Sequence, residues 1–288
     1  MEINKHFSVY DFLGYFIPGA LTIYAGCYYS WTILESTQLI TNLKDDFGSI
    51  SLSIAFVISA YTLGHAINYL SSISIEKYCI WMFGYPSSYL LNEHTEGYFK
   101  SKKICEEYKD SYWLSKSWRS ALFILILPVS ILDLILGLLL KLRFLYTNPL
   151  DDKLVNIIKS KKKQLLLKLK IQTDNESPQK PFDFHRIINH YYYEKCKGHV
   201  CKFDNYVALY GFTRSISFIL CMIAWVNISL IVIPGFIESK ASSIIETVVI
   251  ACLSYIFFMA FLKFYRRYTL EGFMCLVIDE TLDGNINC

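Results

Sequence analysis

The chain contains few charged residues and none of the short motifs that mark the common enzyme classes. Only 18% of its 288 residues are charged, against about 25% in an ordinary soluble domain. It lacks a glycine-rich phosphate-binding loop, a His-Glu-x-x-His zinc motif, a Gly-x-Ser-x-Gly nucleophile elbow and a catalytic cluster of carboxylates. We therefore expect neither an enzyme nor a bound cofactor.

The sequence also shows no signal for a cleavable leader peptide or for a framework of disulfides. The first residues, MEINKH, form no basic region ahead of the first apolar run, and no convincing cleavage site follows that run. The cysteine count of nine is odd, which does not fit a scaffold of paired disulfides. We therefore expect the first apolar run to remain in the mature protein.

What the chain has in excess is apolar sequence, arranged in runs long enough to cross a bilayer. Hydrophobic residues make up 53% of the chain, and the mean hydropathy is +0.32. A transmembrane helix needs about 20 apolar residues, and runs of this kind lie at 10–34, 50–73, 121–140, 215–236 and 244–262. They predict an all-α integral membrane protein rather than an unusually apolar soluble one.

The distribution of positive charge predicts the topology. Of the 28 Lys and Arg residues, 25 lie in three stretches, 75–119, 141–214 and 262–288. Because Lys and Arg mark the cytoplasmic side of a membrane protein, all three stretches belong inside, which requires that residues 121–140 do not cross. We predict four crossings in a 2+2 arrangement in a bacterial inner membrane, with both termini cytoplasmic. The run 121–140 is then a re-entrant segment, a surface helix or the buried core helix of a cytoplasmic domain. Five crossings are the alternative, because long loops can be translocated whatever their charge.

This topology divides the chain into three parts. A transmembrane hairpin (1–74) precedes a mostly helical cytoplasmic domain (75–214), and a second hairpin with a cytoplasmic tail follows (215–288). The cytoplasmic domain has 22 basic and 14 acidic residues, a net charge of +8, whereas the rest has 6 basic and 11 acidic residues, a net charge of −5. The net charge of +3 for the whole chain hides this polarisation.

Basic and aromatic residues alternate between positions 182 and 214. Nucleic-acid bases stack on aromatic rings while Lys and Arg hold phosphates, so this pattern suits a single-stranded DNA oligomer or a nucleotide. The expected ligand-binding residues are Arg186, Tyr191, Tyr192, Lys195, Lys197, Lys202 and Arg214. The alternative is an aromatic packing surface just inside the membrane, with basic side chains extended toward water.

Two other features of the cytoplasmic domain are less specific. The lysine cluster at 159–170 suits anionic lipid headgroups, an oligonucleotide backbone or a solvated helix face. Five candidate zinc ligands lie close together in sequence, namely His185, His190, Cys196, His199 and Cys201. Their spacing does not match the usual Cys-x2–4-Cys or His-x3–5-His pairs, so we expect no metal site.

Tyr61, His65 and Asn68 form a polar stripe inside the second apolar run. Their spacing of four and then three residues puts them on one face of a helix. Polar groups within a membrane usually face a bundle interior or a water-filled cavity. The stripe therefore lines a pore or forms hydrogen bonds with a neighbouring helix.

Two motifs, YDFLGYFIPG at 10–19 and AYTLGHAINYLSS at 60–72, resemble the start of a broad group of bacterial membrane proteins, some of which accompany phage-defence genes. Together with a basic, aromatic cytoplasmic domain, they resemble the channel effector of the Hailong anti-phage systems. In that family a nucleotidyltransferase makes DNA oligomers, which bind the cytoplasmic domain of the effector and hold its channel shut. The resemblance implies an antiviral membrane effector with these two partners.

The predicted function is an ion channel assembled as a cyclic homo-oligomer, with a tetramer favoured. Four spans per subunit rarely enclose a pore alone, whereas closed symmetry builds one at the axis. A ligand that binds one state of the cytoplasmic domain better than another would shift the pore equilibrium. The alternative function is a non-conducting membrane anchor that recruits a cytoplasmic partner protein.

Overall fold

The computed structural model describes residues 11–37, 49–93, 97–98, 112–170, 184–195, 198, 200–233 and 240–282. Within these ranges the regular structure is helical and no strand occurs, which confirms the predicted all-α class. The helices are α1 (Ile17–Thr37), α2 (Ser49–Ser71), α3 (Lys77–Phe83), α4 (Pro86–Leu90), α5 (Tyr112–Leu125), α6 (Leu127–Leu139), α7 (Phe144–Thr147), α8 (Asp152–Lys168), α9 (Phe184–Lys195), α10 (Val200–Val232) and α11 (Lys240–Ile278). A π-helical turn precedes α1 at Phe12–Phe16, another follows α2 at Ser72–Glu76, and a 3₁₀ turn follows α11 at Glu280–Leu282.

Two helices in the described part of the chain are long and apolar enough to cross a membrane, α10 and the Ala241–Ile278 part of α11. The predicted spans 215–236 and 244–262 fall on these two helices. A third candidate arises if α5 and α6, which meet at a bend of 88°, count as one broken span. The runs 10–34 and 50–73 fold as α1 and α2, of 21 and 23 residues, and their crossing of the membrane stays a prediction.

Helices α10 and α11 form a long antiparallel pair. The Ser217 hydroxyl donates a hydrogen bond to the Ser254 carbonyl at 2.9 Å, and the Ser254 hydroxyl donates to the Ser217 carbonyl at 2.7 Å. The helices have 33 and 39 residues, or about 50 and 58 Å at about 1.5 Å per residue. Both exceed the hydrocarbon thickness of about 30 Å.

The predicted division between domains at residues 214 and 215 therefore lies inside one continuous helix. The sequence changes from polar to apolar at this point, but neither proline nor a turn signal interrupts it, so the backbone continues as a helix. Helix α10 thus begins 15 residues before the predicted start of the second hairpin, and α11 continues 16 residues beyond the apolar run 244–262.

Two glycines allow α1 and α2 to touch at their backbones. A Cβ atom on Gly19 would lie 1.7 Å from the Ala60 carbonyl oxygen, and one on Gly64 would lie 1.9 Å from the Tyr15 carbonyl oxygen. Small residues at a helix interface permit this close approach, which is a common packing mode in membranes. The glycines belong to the two motifs at 10–19 and 60–72, so these motifs encode a helix–helix seam.

Most of the remaining helices pack around the polar ends of α10 and α11, at the start of α10 and the end of α11. Their core is rich in fully buried aliphatic and aromatic side chains, among them Tyr78, Ile126, Ile158, Tyr192 and Phe273. Helix α8 begins at an Asp151 cap, whose carboxylate accepts a hydrogen bond from the Leu154 amide at 2.9 Å. The ammonium of Lys161 donates to the Asp279 carbonyl at 2.9 Å, which ties α8 to the end of α11.

Candidate functional site at the membrane boundary

Arg214 lies where α10 changes from a polar to an apolar helix. It is the last charged residue before an uncharged stretch that continues to Glu238. In the structure it is 6% exposed, and it shares one buried face of α10 with Ser217, Cys221 and Ala224. The helical spacing of these residues turns the guanidinium toward the protein interior instead of toward water.

The guanidinium is bound entirely by the end of α2 and the π turn that follows it. Its Nη1 donates to the Glu76 carboxylate in an ion pair. Its Nη2 donates to Asn68 Oδ1 at 2.6 Å, and its Nε donates to Ser71 Oγ at 3.2 Å. Ser71 Oγ in turn lies 3.3 Å from Ser215 Oγ. We call Asn68, Ser71, Glu76, Arg214 and Ser215 the junction network.

The π turn is what brings Glu76 to Arg214. A π turn holds more residues than an α turn and therefore rotates the residues that follow it, and such turns are frequent at functional sites. Hydroxyls secure the turn, because Ser74 Oγ donates to the Leu70 carbonyl at 2.6 Å and Ser72 Oγ donates to the Glu76 carboxylate at 3.3 Å. Glu76 is thus held from its own helix and from α10.

The junction network connects distant parts of the chain with charge that is withdrawn from water. Removing one partner of a buried ion pair leaves the other charge uncompensated, which is strongly destabilising. The end of α2 and the middle of α10 are therefore expected to move together. The members of the network bind one another, so the network connects α2 to α10.

The predicted polar stripe on α2 is divided between two environments. Asn68 belongs to the junction network. The imidazole of His65 stacks on the ring of Tyr15 with centroids 3.8 Å apart, and the Tyr61 ring meets it edge-on at 4.7 Å. His65 is nevertheless exposed. One end of the stripe thus packs on neighbouring helices, and its middle faces outward beside α1.

Of the predicted ligand-binding residues, Tyr192 and Arg214 are buried, whereas Lys195 and Lys202 are exposed. Lys195 is exposed at the end of α9, and Lys202, near the start of α10, lies 2.8 Å from Glu271 of α11. The Tyr191 hydroxyl donates to the Asp279 carboxylate. The side chain of Arg186 and the whole of Lys197 lie outside the described residues. Arg214 belongs to the junction network instead of facing solvent.

Tyr192 is packed inside an aromatic cluster. Its ring is 1% exposed and stacks on Phe203 with centroids 4.2 Å apart and planes at 17°. A Cβ on Gly272 would lie 2.7 Å from this ring, so the absence of a side chain there makes room for it. Burial, followed by a hydrogen bond with Tyr268, raises the pKa of Tyr192 well above its ordinary value. In this conformation the ring serves the aromatic packing surface that was the alternative to a ligand site.

The remaining residues singled out in this region are scattered. Within the lysine cluster of α8, Lys161 is buried and engaged, whereas Lys159, Lys163 and Lys168 are exposed. Of the five candidate zinc ligands, His190 and Cys201 are exposed. The side chain of His185 and the residues Cys196 and His199 lie outside the described residues.

A second polar network, absent from the sequence-based prediction, lies under helix α6. Asp133 is completely buried, and its carboxylate accepts a hydrogen bond from the Tyr78 hydroxyl at 2.9 Å. The guanidinium of Arg143 lies 3.4 Å from the same carboxylate and donates to the Asp133 carbonyl at 2.9 Å. Burial and the Asp133 carboxylate raise the pKa of Tyr78 well above 10.0, so the phenol stays protonated as a donor.

Glu76 and Asp133 were not predicted as site residues, and Arg214 was predicted to bind ligand instead of forming an ion pair, yet each has a recognisable signal in the sequence. Glu76 directly follows one apolar run, and Arg214 directly precedes another. Opposite charges at the ends of two spans on the same membrane side are natural partners. Asp133 is the single charged residue between Arg119 and Lys141, and an isolated charge in an apolar run requires a buried partner.

Comparison with known proteins gives no assignment: no family model matches the chain, and no curated protein or solved structure gives a significant match. The fold and the site define the class instead. In its described residues the chain is helical, with two helices long and apolar enough to span a membrane and an ion pair between Glu76 and Arg214.

Proposed function

We propose that the protein is an oligomeric ion channel whose pore responds to a nucleotide or DNA oligomer bound by its cytoplasmic domain. The proposal includes four crossings of a bacterial inner membrane, cytoplasmic termini and a cyclic assembly, preferably of four subunits. It includes a role in anti-phage defence, with a nucleotidyltransferase as the source of the ligand.

One observation carries the coupling in this proposal. The unbroken helix α10 bears Lys202 near its cytoplasmic end and Arg214 twelve residues later, at the junction with α2. Twelve residues of helix span roughly 18 Å. A helix without a break transmits a displacement over this length, so a change at Lys202 reaches the membrane hairpin through the junction network.

The ligand is proposed to bind beside Lys195 and Lys202. Both side chains are exposed, and Lys202 is paired with Glu271 rather than being buried. A phosphate that competes for Lys202 would release the Glu271 carboxylate and so weaken a tie between α10 and α11. This exchange gives the ligand a different affinity for the two arrangements of the pair, which is the requirement for shifting their equilibrium.

The pore is proposed to form where α2 faces the symmetry axis. His65 is exposed on this helix, and so are several of its large apolar residues, among them Ile54, Val57, Ile58 and Leu63. A single chain leaves this surface uncovered, whereas a ring of subunits covers part of it and leaves the rest to lipid. His65 is the residue proposed to face the aqueous pathway.

Two measurements on the full-length protein test the proposal. The first is binding of a short single-stranded DNA oligomer across a salt series, with Lys195→Gln/Lys202→Gln compared with Lys153→Gln, an exposed lysine on α8. Each lost phosphate contact should reduce the slope of log K against log salt by about 0.7, so the double variant should lose about 1.4. The Lys153→Gln slope should stay unchanged. Equal slopes for all proteins would contradict the proposed ligand site.

The second measurement is ion flux from liposomes that contain the protein, with and without the oligomer. We expect flux that changes on addition of the oligomer and that is altered by His65→Ala. The absence of flux under both conditions would overturn the channel and favour the alternative function, a non-conducting anchor that recruits a partner protein.

A further inference from the structure

The sharp break between α5 and α6 lies in the middle of the apolar run 121–140, at Ile126. We infer that residues 116–143 form a re-entrant segment, which enters the membrane from the cytoplasmic side, reaches about half its depth and returns. Its aliphatic face is inferred to contact lipid acyl chains. The inference does not depend on conduction or on a nucleotide ligand.

Helix α6 buries its polar side chains in the protein and exposes its aliphatic side chains. Its polar side chains, Ser130 and Asp133, are 0% exposed. Its aliphatic side chains are exposed by 40% to 76% at Ile131, Ile135, Leu138 and Leu139. A helix on the surface of a water-soluble domain has the opposite arrangement, and an apolar patch of this extent marks an interaction surface. The surroundings of α6 must therefore be apolar.

Contacts with α10 show how far along the apolar stretch of that helix the bend lies. The Leu125 carbonyl accepts a hydrogen bond from the Trp225 indole at 2.8 Å, and the Cys221 thiol lies 3.7 Å from the same oxygen. Cys221 and Trp225 follow Arg214 on α10 by 7 and 11 residues, or roughly 10 and 16 Å along the helix axis. With Arg214, the last charged residue before the apolar stretch, taken as the level of the membrane boundary, the bend lies near the middle of a hydrocarbon layer about 30 Å thick.

Protein donors occupy three backbone carbonyls at the break, those of Leu122, Phe123 and Leu125. A broken helix at membrane depth is tolerated only where other groups occupy its hydrogen-bonding atoms. Ser130 Oγ donates to the Phe123 carbonyl at 3.1 Å, and the Ile126 amide donates to the Leu122 carbonyl at 3.1 Å. The Leu125 carbonyl is occupied by Trp225. These contacts reduce the number of backbone groups at the break that need water.

The two ends of the segment are held by residues that lie beyond the same end of the apolar stretches. At the entry, the Arg119 guanidinium stacks on Trp81 at 4.8 Å and donates to the Tyr98 carbonyl at 2.7 Å. Trp81 belongs to α3, which directly follows the junction network. At the exit, Arg266 donates to the Asn148 carbonyl at 2.6 Å, and Arg266 follows the apolar part of α11. Both contacts lie on the cytoplasmic side of Arg214.

The lipid contact is tested with the unmodified full-length protein in liposomes that contain a phosphatidylcholine with a diazirine in the middle of one acyl chain. After irradiation, peptide mass spectrometry should locate adducts in residues 124–140 as well as in α10 and α11. Ile157 and Leu167 of α8 are the internal control, because they are 45% and 66% exposed but belong to the cytoplasmic domain. They should carry no adducts. Adducts in α10 without adducts in 124–140 would overturn the inference and indicate a second copy or water over this face.

The return of the segment to one side is tested in intact cells with a membrane-impermeant maleimide. Adducts are located by peptide mass spectrometry, because the chain has nine native cysteines, of which Cys27 and Cys201 are exposed. The introduced thiols of Ser117→Cys and Leu145→Cys, both at exposed positions, should react only after the membrane is permeabilised. Asn42→Cys, in the loop predicted to lie outside, is the control that the reagent reaches that surface. A reaction of either position 117 or position 145 in intact cells would show that the segment crosses the membrane. It would overturn the re-entrant segment, whereas the binding assay separately tests the ligand proposal.

Discussion

The junction network gives the sharpest prediction, a double-mutant cycle on Arg214 and Glu76. The side chains of Arg214 and Glu76 are 8% and 21% exposed, so the pair is mostly desolvated. Truncating one partner of a buried pair typically costs about 3–5 kcal/mol. Because part of Glu76 reaches water, we expect the lower end of this range, about 3 kcal/mol, for Glu76→Gln.

Arg214→Gln should cost more than Glu76→Gln. The guanidinium also donates to Asn68 and Ser71, and a hydrogen bond to a charged group contributes about 1.5–3 kcal/mol. A glutamine at position 214 is shorter than arginine and cannot reach all these acceptors. The Arg214→Gln/Glu76→Gln protein should be destabilised by less than the sum of the single changes, with a coupling energy of about 1–3 kcal/mol.

The assay is reversible unfolding of the purified protein in mixed micelles as the mole fraction of a denaturing detergent is raised, followed by tryptophan fluorescence. The matched control is Lys77→Gln, which removes a positive charge, as Arg214→Gln does, but at an exposed position next to Glu76. It should change the free energy of unfolding by less than about 0.5 kcal/mol. The Arg214 and Glu76 effects should also persist at high salt, because buried pairs are weakly screened.

Two results would refute the reasoning about the junction network. One is a pair of single changes that each stay within the range of the Lys77→Gln control. The other is strict additivity in the double variant, which would mean that Arg214 and Glu76 act independently. Persistent coupling together with an unchanged flux response to the oligomer would show that the network is structural and does not transmit the ligand signal.

Two further predictions concern packing and pH. Gly64→Ala places a Cβ 1.9 Å from the Tyr15 carbonyl oxygen, so it should destabilise the α1–α2 hairpin by at least about 1–3 kcal/mol. The control is Gly26→Ala, where a Cβ would have nothing within 4 Å. It should be neutral or stabilising in the same detergent-unfolding assay. Burial raises the pKa of Asp279, but hydrogen bonds from Tyr191 and Thr281 outweigh it and leave the pKa below 3.8. The folded state therefore favours the ionised carboxylate, so Asp279→Asn should be less stable than the unaltered protein at neutral pH, and the difference should vanish as the pH falls below 3.8; a difference that is constant with pH would contradict this contribution.

Much of the fold was predictable because it depends on local sequence patterns. Apolar runs of about 20 residues specify helices, and the long runs at 215–236 and 244–262 overlap α10 and α11, which both extend beyond them. The position of Pro128 two residues after Ile126 marks the break in the run 121–140, since proline is accepted in the first turn of a helix. The apolar runs and Pro128 each determine the structure of the residues that immediately surround them.

The candidate site was harder to predict because its partners are distant in sequence. Glu76 and Arg214 are separated by 138 residues, and only the packing of α2 against α10 brings them together. The aromatic residues posed a different difficulty. A ring that stacks on a nucleobase and a ring that stacks on another ring, as Tyr192 does on Phe203, have the same sequence signature, and burial alone distinguishes them.

The two buried networks follow one physical rule. Arg214 and Asp133 both stand in or beside apolar sequence, where an uncompensated charge is costly, and each has recruited an oppositely charged partner that borders an apolar run. Those partners, Glu76 and Arg143, follow the apolar runs that contain α2 and α6. Each partner therefore lies just beyond an apolar run, where it can reach the charge that the apolar sequence would otherwise leave uncompensated.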